Sequence, residues 1–224
     1  ARNSVSKLGR SKMHDNLLRY STDNLFVFID LETENLCLNF CHNRPWQCGM
    51  LKVKGNQEID SRDIYIKWDK PIDISDGAAI VTHFNPSKYN QLAIHSSKTF
   101  ETIYEWLMEA DYIIGHNLFN FDLYLLREYF KMYGKNWKPL IPKIIDTLCL
   151  SKSVKYEIPY TSDLGMTEWQ YKIGNEWKKG IKTSLSEMAK YYNIEFDPNM
   201  LHEATFDLRL NLQVWNKLKY QIAI

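Results

Sequence analysis

The chain has 224 residues, 45% hydrophobic and 14% aromatic, which is ample material for one large domain or two small ones and excludes a disordered or fibrous protein. Lys and Arg number 28 against 27 Asp and Glu, a net charge of +1, so the chain lacks the basic excess of a protein that grips nucleic acid by charge alone. Any such partner must be held locally.

No stretch approaches the roughly 18 apolar residues of a membrane span, and ARNSVSKLGR has no apolar run behind its basic residues, so a soluble, cytoplasmic protein is expected. Residues 1–23 carry Arg2, Lys7, Arg10, Lys12 and Arg19 with little apolar periodicity and read as a basic arm. Leu25 to Ile29 are consecutive apolar residues, too short and too aromatic or β-branched for a helix, which predicts a strand covered on both faces. Trp46 to Val53 and Asp63 to Trp68 follow as strands joined by a turn-rich KGNQEIDSRD, making an antiparallel meander. Phe100, Ile103, Tyr104 and Leu107 mark a helix with Thr99 as its cap, ending near Ala110. Tyr112 to Ile114, closed by Gly115, is a strand, and Phe121 to Met132 a helix.

Pro159, Gly165, Gly174 and Gly180 then interrupt the pattern over 153–183, and Gly174-Asn175 between two Trp-bearing segments predicts an inserted β-hairpin. Ser184 and Glu187 form a capping box opening a helix to about Tyr192, and Ala204, Leu208, Leu212 and Trp215 stripe a last helix. Residues 24–224 thus read as a single domain carrying that insertion. Cys37, Cys41, Cys48 and Cys149 form no C-x-x-C pair and are expected to be reduced, buried small hydrophobes, with zinc held by Cys37, Cys41, His42 and Cys48 as the alternative.

Asp30 and Glu32 close the first strand, and period-2 alternation puts both carboxylates on one face. Two such charges at about 4 Å repel by roughly 4 kcal/mol at an effective dielectric of 20, so the pair calls for a cation or a proton. Oxygen ligands favour hard ions, Mg²⁺ or Mn²⁺. Asp122, in IIGHNLFNFD, falls in the first turn of its helix, where plain capping is the competing role. His202 precedes Asp207 by five residues; were both helical they would point about 140° apart, which places His202 on the loop before the helix.

FIDLETENL, GHNLFNFD and HEATFD resemble, in order and approximate separation, the three exonuclease motifs of the DnaQ-like superfamily, in its HxxxxD-bearing DEDDh subgroup. PWQCGML, IIDTLCLSK and SLSEMAKYYNI resemble further family segments, so the likeness spans roughly 24–220. It departs at Thr33-Glu34-Asn35, where many relatives carry Thr-Gly, and in the three residues between Asn117 and Phe121, a spacing closer to polymerase proofreading domains. A small exonuclease with an inserted hairpin and no polymerase attached also resembles phage-type stand-alone enzymes.

The resemblance implies an α/β, ribonuclease H-like fold with a mixed five-stranded sheet flanked by helices. It implies two divalent ions on Asp30, Glu32, Asp122 and Asp207, His202 as general base, and release of nucleoside 5′-monophosphates from a 3′ end. The backbone near Leu31 and Glu32 would recognise the terminal 3′-hydroxyl and Asn117 help to position the strand. In the insert, aromatics interleave with lysines, so Trp177, Lys178, Lys179 and Lys182 are candidates for gripping a single strand, against the alternative that the segment merely packs onto the domain. The expected activity is a 3′-to-5′ exonuclease on single-stranded or frayed DNA, a partner of replication or repair proteins. An exoribonuclease and a non-catalytic nucleic-acid-binding or polymerase-docking module are the alternatives.

Overall fold

The computed structural model describes residues 17–38 and 43–224. The apolar run forms the middle strand, β1 (Leu25–Thr33). Phe26 and Phe28 face one apolar cluster and Val27, Ile29 and Leu31 the other, so the strand is buried on both faces as its composition requires. β1 pairs antiparallel with β2 (Pro45–Lys54), and β2 with β3 (Gln57–Lys67). On its other edge β1 runs parallel to β5 (Tyr112–Gly115), which is parallel to β6 (Ile144–Asp146). β4 (Ile94–His95) completes a six-stranded mixed sheet in the order β4-β3-β2-β1-β5-β6. That is one strand more than the expected five, because a two-residue edge strand leaves no alternation to detect. The meander is correct, but most of KGNQEIDSRD is strand; the turn is confined to Gly55-Asn56, and Gly55 has φ +61°.

Helices cover both faces. α1 (Asp76–Val81) and α2 (Pro86–Leu92) start on Ser75 and Asn85, whose side chains accept from Ala78 and Lys88 N–H, and Tyr89 of α2 packs on Trp46 and Tyr65. α3 (Ser96–Glu109) and α4 (Asp122–Met132) pack on the Val27, Ile29 face. α3 is capped by His95 rather than Thr99, because the Thr99 hydroxyl turns inward to the Ser96 carbonyl and the Tyr129 hydroxyl. α5 (Thr147–Tyr156), α6 (Met166–Gly174), α7 (Leu185–Tyr191) and α8 (Ala204–Leu218) pack on the Phe26, Phe28 face. Ser184 accepts from Glu187 N–H at 3.4 Å, as the capping box requires.

Residues 153–183 contain no hairpin. The end of α5, a 3-10 turn at Ser162–Leu164 and α6 occupy them, and Gly174-Asn175 marks where α6 stops. The turn signal loses because Trp169, Gln170 and Ile173 lie at helical spacing and are buried. Gln170 fixes the docking: Nε2 donates to Ile144 O at 2.9 Å, and Oε1 accepts from Asp146 N–H at 2.7 Å.

Of the proposed basic arm, residues 1–16 lie outside the described residues, whereas Leu18–Tyr20 form a 3-10 turn docked on the C-terminus. There Leu18 N–H donates to Ile224 O at 2.8 Å, and Arg19 Nη1 to Tyr220 O at 3.2 Å. Cys48 and Cys149 are buried as expected and Cys37 is exposed, while Cys41 and His42, needed for the zinc alternative, lie outside the described residues. Among the described residues no helix is long and apolar enough to cross a membrane.

Candidate active site

The carboxyl ends of parallel strands meet the starts of two helices here. Asp30 and Glu32 point to the face of β1 that carries α8, while their neighbours Ile29 and Leu31 point to the opposite core. Asp30 pairs across the sheet with Gly49. A Cβ on Gly49 would stand 2.7 Å from the Ala204 Cβ, so only glycine lets the first turn of α8 lie against the sheet beside Asp30. That approach brings Asp207, in the same turn, to the carboxylate pair.

His202 sits on the loop before α8 with φ +67°, its side chain exposed, and its N–H donates to Asp207 Oδ2 at 3.0 Å. Asp30, Leu31, Glu32, His202 and Asp207 line one cavity of about 350 Å³. Asp122 lies behind that wall. It does not cap α4; its Oδ1 accepts from Leu31 N–H at 3.0 Å, 91 residues away, so the catalytic strand and α4 are tied together. That bond also occupies the Leu31 N–H, leaving it no capacity for a 3′-hydroxyl.

Burial and mutual repulsion dominate the electrostatics. The Asp30 carboxyl is pushed up to about 7, chiefly by burial and then by Asp207, against a lowering hydrogen bond from the Leu31 backbone. Glu32 is held well above the carboxylate range by burial and then by Asp30, Asp207 and Asp122. Burial and Asp30 raise Asp122 in the same way, and burial raises Asp207. No Lys or Arg lines the cavity, and Asp207 Oδ1 is buried without a hydrogen-bond partner. Among the described residues no three such groups form a preformed metal cluster. The fit to hard divalent ions is therefore one of donor type and charge: oxygens only, excess negative charge and an unpaired buried acceptor.

The structure adds residues that sequence motifs did not single out. His116, next to Asn117, lines the cavity with its Nδ1 at 3.1 Å from Thr147 Oγ1, and burial pushes its imidazole down to about 4, so it is neutral. Ser184, Leu185, Ser186 and Asn211 also line it, with Leu201 and Leu208. Asn117 is not on that wall; it adopts φ +70° and its N–H donates to Asp146 Oδ1 at 2.8 Å. Glu34, at the first departure from the family pattern, is buried and accepts from Arg44 Nη2 at 2.6 Å and Asp73 N–H at 2.7 Å, which pins the chain beyond β1.

The lysine and tryptophan candidates of the 153–183 segment lie outside the cavity. Trp177 is 74% exposed, Lys179 and Lys182 are exposed, and Lys182 stands two residues before the wall residue Ser184. Lys178 is tethered instead, its Nζ donating to Tyr156 O at 2.7 Å. Tyr156 and Trp169 are core residues, so packing claims that part of the segment.

The chain has relatives in sequence and in fold. Residues 27–215 match the family RNase_T, described as exonuclease. The chain is 29% identical over 206 residues to a DNA polymerase III PolC-type of Mycoplasma genitalium and 26% identical over 204 residues to that of Mycoplasma pneumoniae. In each case 90% of this chain aligns with 12% of the relative, so the chain spans about an eighth of their length. Among solved structures, exonuclease I superimposes with a TM-score of 0.69 at 19% identity, covering 88% of this chain and 41% of that one. The Escherichia coli enzyme in complex with a dT13 oligonucleotide gives 0.67 at 17%, covering 89% and 41%. At that identity the likeness is one of fold.

Proposed function

The chain belongs to the DnaQ-like exonuclease family, and from that premise we propose that it removes nucleotides from the 3′ end of single-stranded or frayed DNA as 5′-monophosphates. The observation that carries this reading is the buried, uncompensated group Asp30, Glu32, Asp122 and Asp207 with His202 beside it. Those four carboxylates would hold two divalent ions, Mg²⁺ or Mn²⁺, which when bound supply Lewis-acid stabilisation to the attacking and leaving oxygens of an in-line displacement at phosphorus.

The chain's own residues do the rest. His202 takes the proton of the attacking water, and its loop is held to the site by the backbone bond to Asp207. Asp122 holds β1 by its bond to Leu31, which sets the Asp30 and Glu32 side chains toward α8. With Leu31 N–H occupied and its side chain turned into the opposite core, recognition of the 3′-terminal sugar falls to Glu32 and the backbone beside it. Asn117 acts from outside the cavity, on the strand as it enters.

DNA rather than RNA is supported by the PolC-type polymerase relatives and by exonuclease I bound to a DNA oligonucleotide. The same polymerase relatives support a proofreading role beside a replicative polymerase. Buried, separate Cys48 and Cys149 thiols fit a reducing cytoplasm. Matched 3′- and 5′-end-labelled DNA and RNA oligonucleotides, incubated with Mg²⁺, Mn²⁺ or EDTA, test the proposal. Mononucleotide release from the DNA 3′ end only with metal is expected; loss of the 5′ label first, or equal activity in EDTA, overturns it.

A further inference from the structure

A second cavity, of about 620 Å³, opens between the first half of α4, the 3-10 turn at Lys138–Lys143 and the start of α6. Its walls bring together the rings of Phe119, Tyr124, Trp137 and Tyr171. Tyr124 is 46% and Tyr171 64% exposed, unusual for large rings with so much apolar surface beside them. The two charged residues on the wall are already engaged at its rim, Arg127 with Glu128 at 2.9 Å and Glu168 with Lys172 at 3.0 Å. The recess therefore offers flat apolar faces, with the Arg127 guanidinium 5.4 Å from the Tyr124 ring centre.

Its position ties it to the catalytic cavity. The two oxygens of Asp146 accept from Asn117 N–H at 2.8 Å and Phe119 N–H at 3.0 Å, so one buried carboxylate holds both the loop that enters α4 and a wall of the recess. Leu123, another wall residue, follows Asp122 directly. A ligand in the recess would thus lie one loop away from the reacting end of a polynucleotide. Net charge of +1 leaves little for a purely ionic grip, and base stacking on aromatic faces is the interaction that compensates.

We propose that this recess stacks one or two nucleobases of the strand upstream of the nucleotide being removed, with Tyr124 and Tyr171 as platforms. The proposal rests on the exonuclease reading and adds a second grip on the same strand, independent of sequence because every base presents a flat face.

The test uses the full chain carrying Asp207→Asn to block hydrolysis, and fluorescent 12-mer single-stranded DNAs with an abasic site at successive positions from the 3′ end. At one or two interior positions the abasic site should weaken binding by about 5- to 50-fold, as loss of one stacked base does. Tyr171→Ala or Tyr124→Ala should weaken the intact strand by a similar factor, and the abasic penalty at those positions should then vanish. Intact-strand affinity within twofold in both variants, or penalties that multiply independently, overturns the proposal; in the first case an apolar peptide segment becomes the occupant to test. With Asp207 restored, Tyr171→Ala should raise the KM for the 12-mer by a similar factor. A parent that cleaves neither dinucleotide nor long strand would defeat the exonuclease reading itself, a result separable from failure of the recess.

Discussion

Asp146 and Asp207 are both acids held inside the protein, and their surroundings differ. Asp146 has no exposed surface, yet its carboxylate accepts from the N–H groups of Asn117, Phe119 and Leu148 at 2.8 to 3.0 Å. Burial raises it, and those backbone bonds pull against the rise. Asp207 has one backbone bond, from His202, and an oxygen with no partner, and it faces Asp30 and Glu32 rather than donors. The first acid is a structural staple whose interactions are complete. The second belongs to a group that the fold leaves unsatisfied, which is the mark of a site built for something not carried on the chain.

Removing an unsatisfied acid should abolish function and spare the fold. Asp207→Ala and Asp30→Ala are each expected to reduce hydrolysis at least about 10³-fold, with a melting temperature equal to or above the parent's because like charge is relieved. Activity within threefold of the parent in either variant breaks the comparison. His202→Ala, which leaves the carboxylates intact, should lose roughly 10² to 10⁴ in rate and the acidic limb of the pH–rate profile while still binding Mn²⁺. Persistence of that limb would remove His202 as the base.

The satisfied acid should behave in the opposite way. Asp146→Ala strands three part-buried N–H groups and is expected to cost about 2 to 5 kcal/mol in denaturant unfolding, with activity lost only in proportion to unfolding. A folded but inactive variant would move Asp146 into the catalytic group.

pH and Mg²⁺ together separate the two classes without mutation. Because the Asp30 carboxyl is pushed up to about 7, the folded chain binds more protons than the unfolded one between the ordinary carboxylate range and that value. In EDTA, stability is full on the acid side and is lost as pH rises through about 7, a fall in melting temperature of roughly 5 °C between pH 5 and 8. Mg²⁺ should flatten the slope and Asp30→Asn should reduce it, and a slope of opposite sign would show that the group is not self-repelling.

The smallest effect concerns the lysines. Lys178 is spent on the Tyr156 carbonyl, whereas Lys179 and Lys182 are exposed. Replacing Lys179 and Lys182 by Ala should lower the log–log salt slope of single-strand binding by about 0.7 each, and Lys178→Ala should leave it unchanged. An unchanged slope in the first pair would exclude this edge from the substrate path.

What the sequence disclosed follows the same division. β1, with Asp30 and Glu32 on one face, and Asp207 in the first turn of α8 are local patterns of period 2 and 3.6, and they were legible. So was His202 on the loop. Asp146 escaped notice because β6 has only three residues and its partners lie 27 and 29 positions away. His116 and Asn211 reach the cavity from different elements, which no spacing encodes. In 153–183 a local turn signal at Gly174-Asn175 misled, since the two bonds from Gln170 to β6 that hold α6 in place are visible only once β6 exists.

The bond between Leu18 N–H and Ile224 O has a consequence for how such a unit is carried. Leu18, near the start of the described fold, meets Ile224 there at 2.8 Å, so the polypeptide enters and leaves the described fold through one doorway. A longer chain can therefore host these residues as an excursion between two of its own neighbouring positions, without stretching its scaffold. By the same geometry, a short linker from Ile224 to Leu18, with new ends opened at the exposed Lys179-Gly180, should yield a circular permutant that keeps the sheet and the carboxylate group intact.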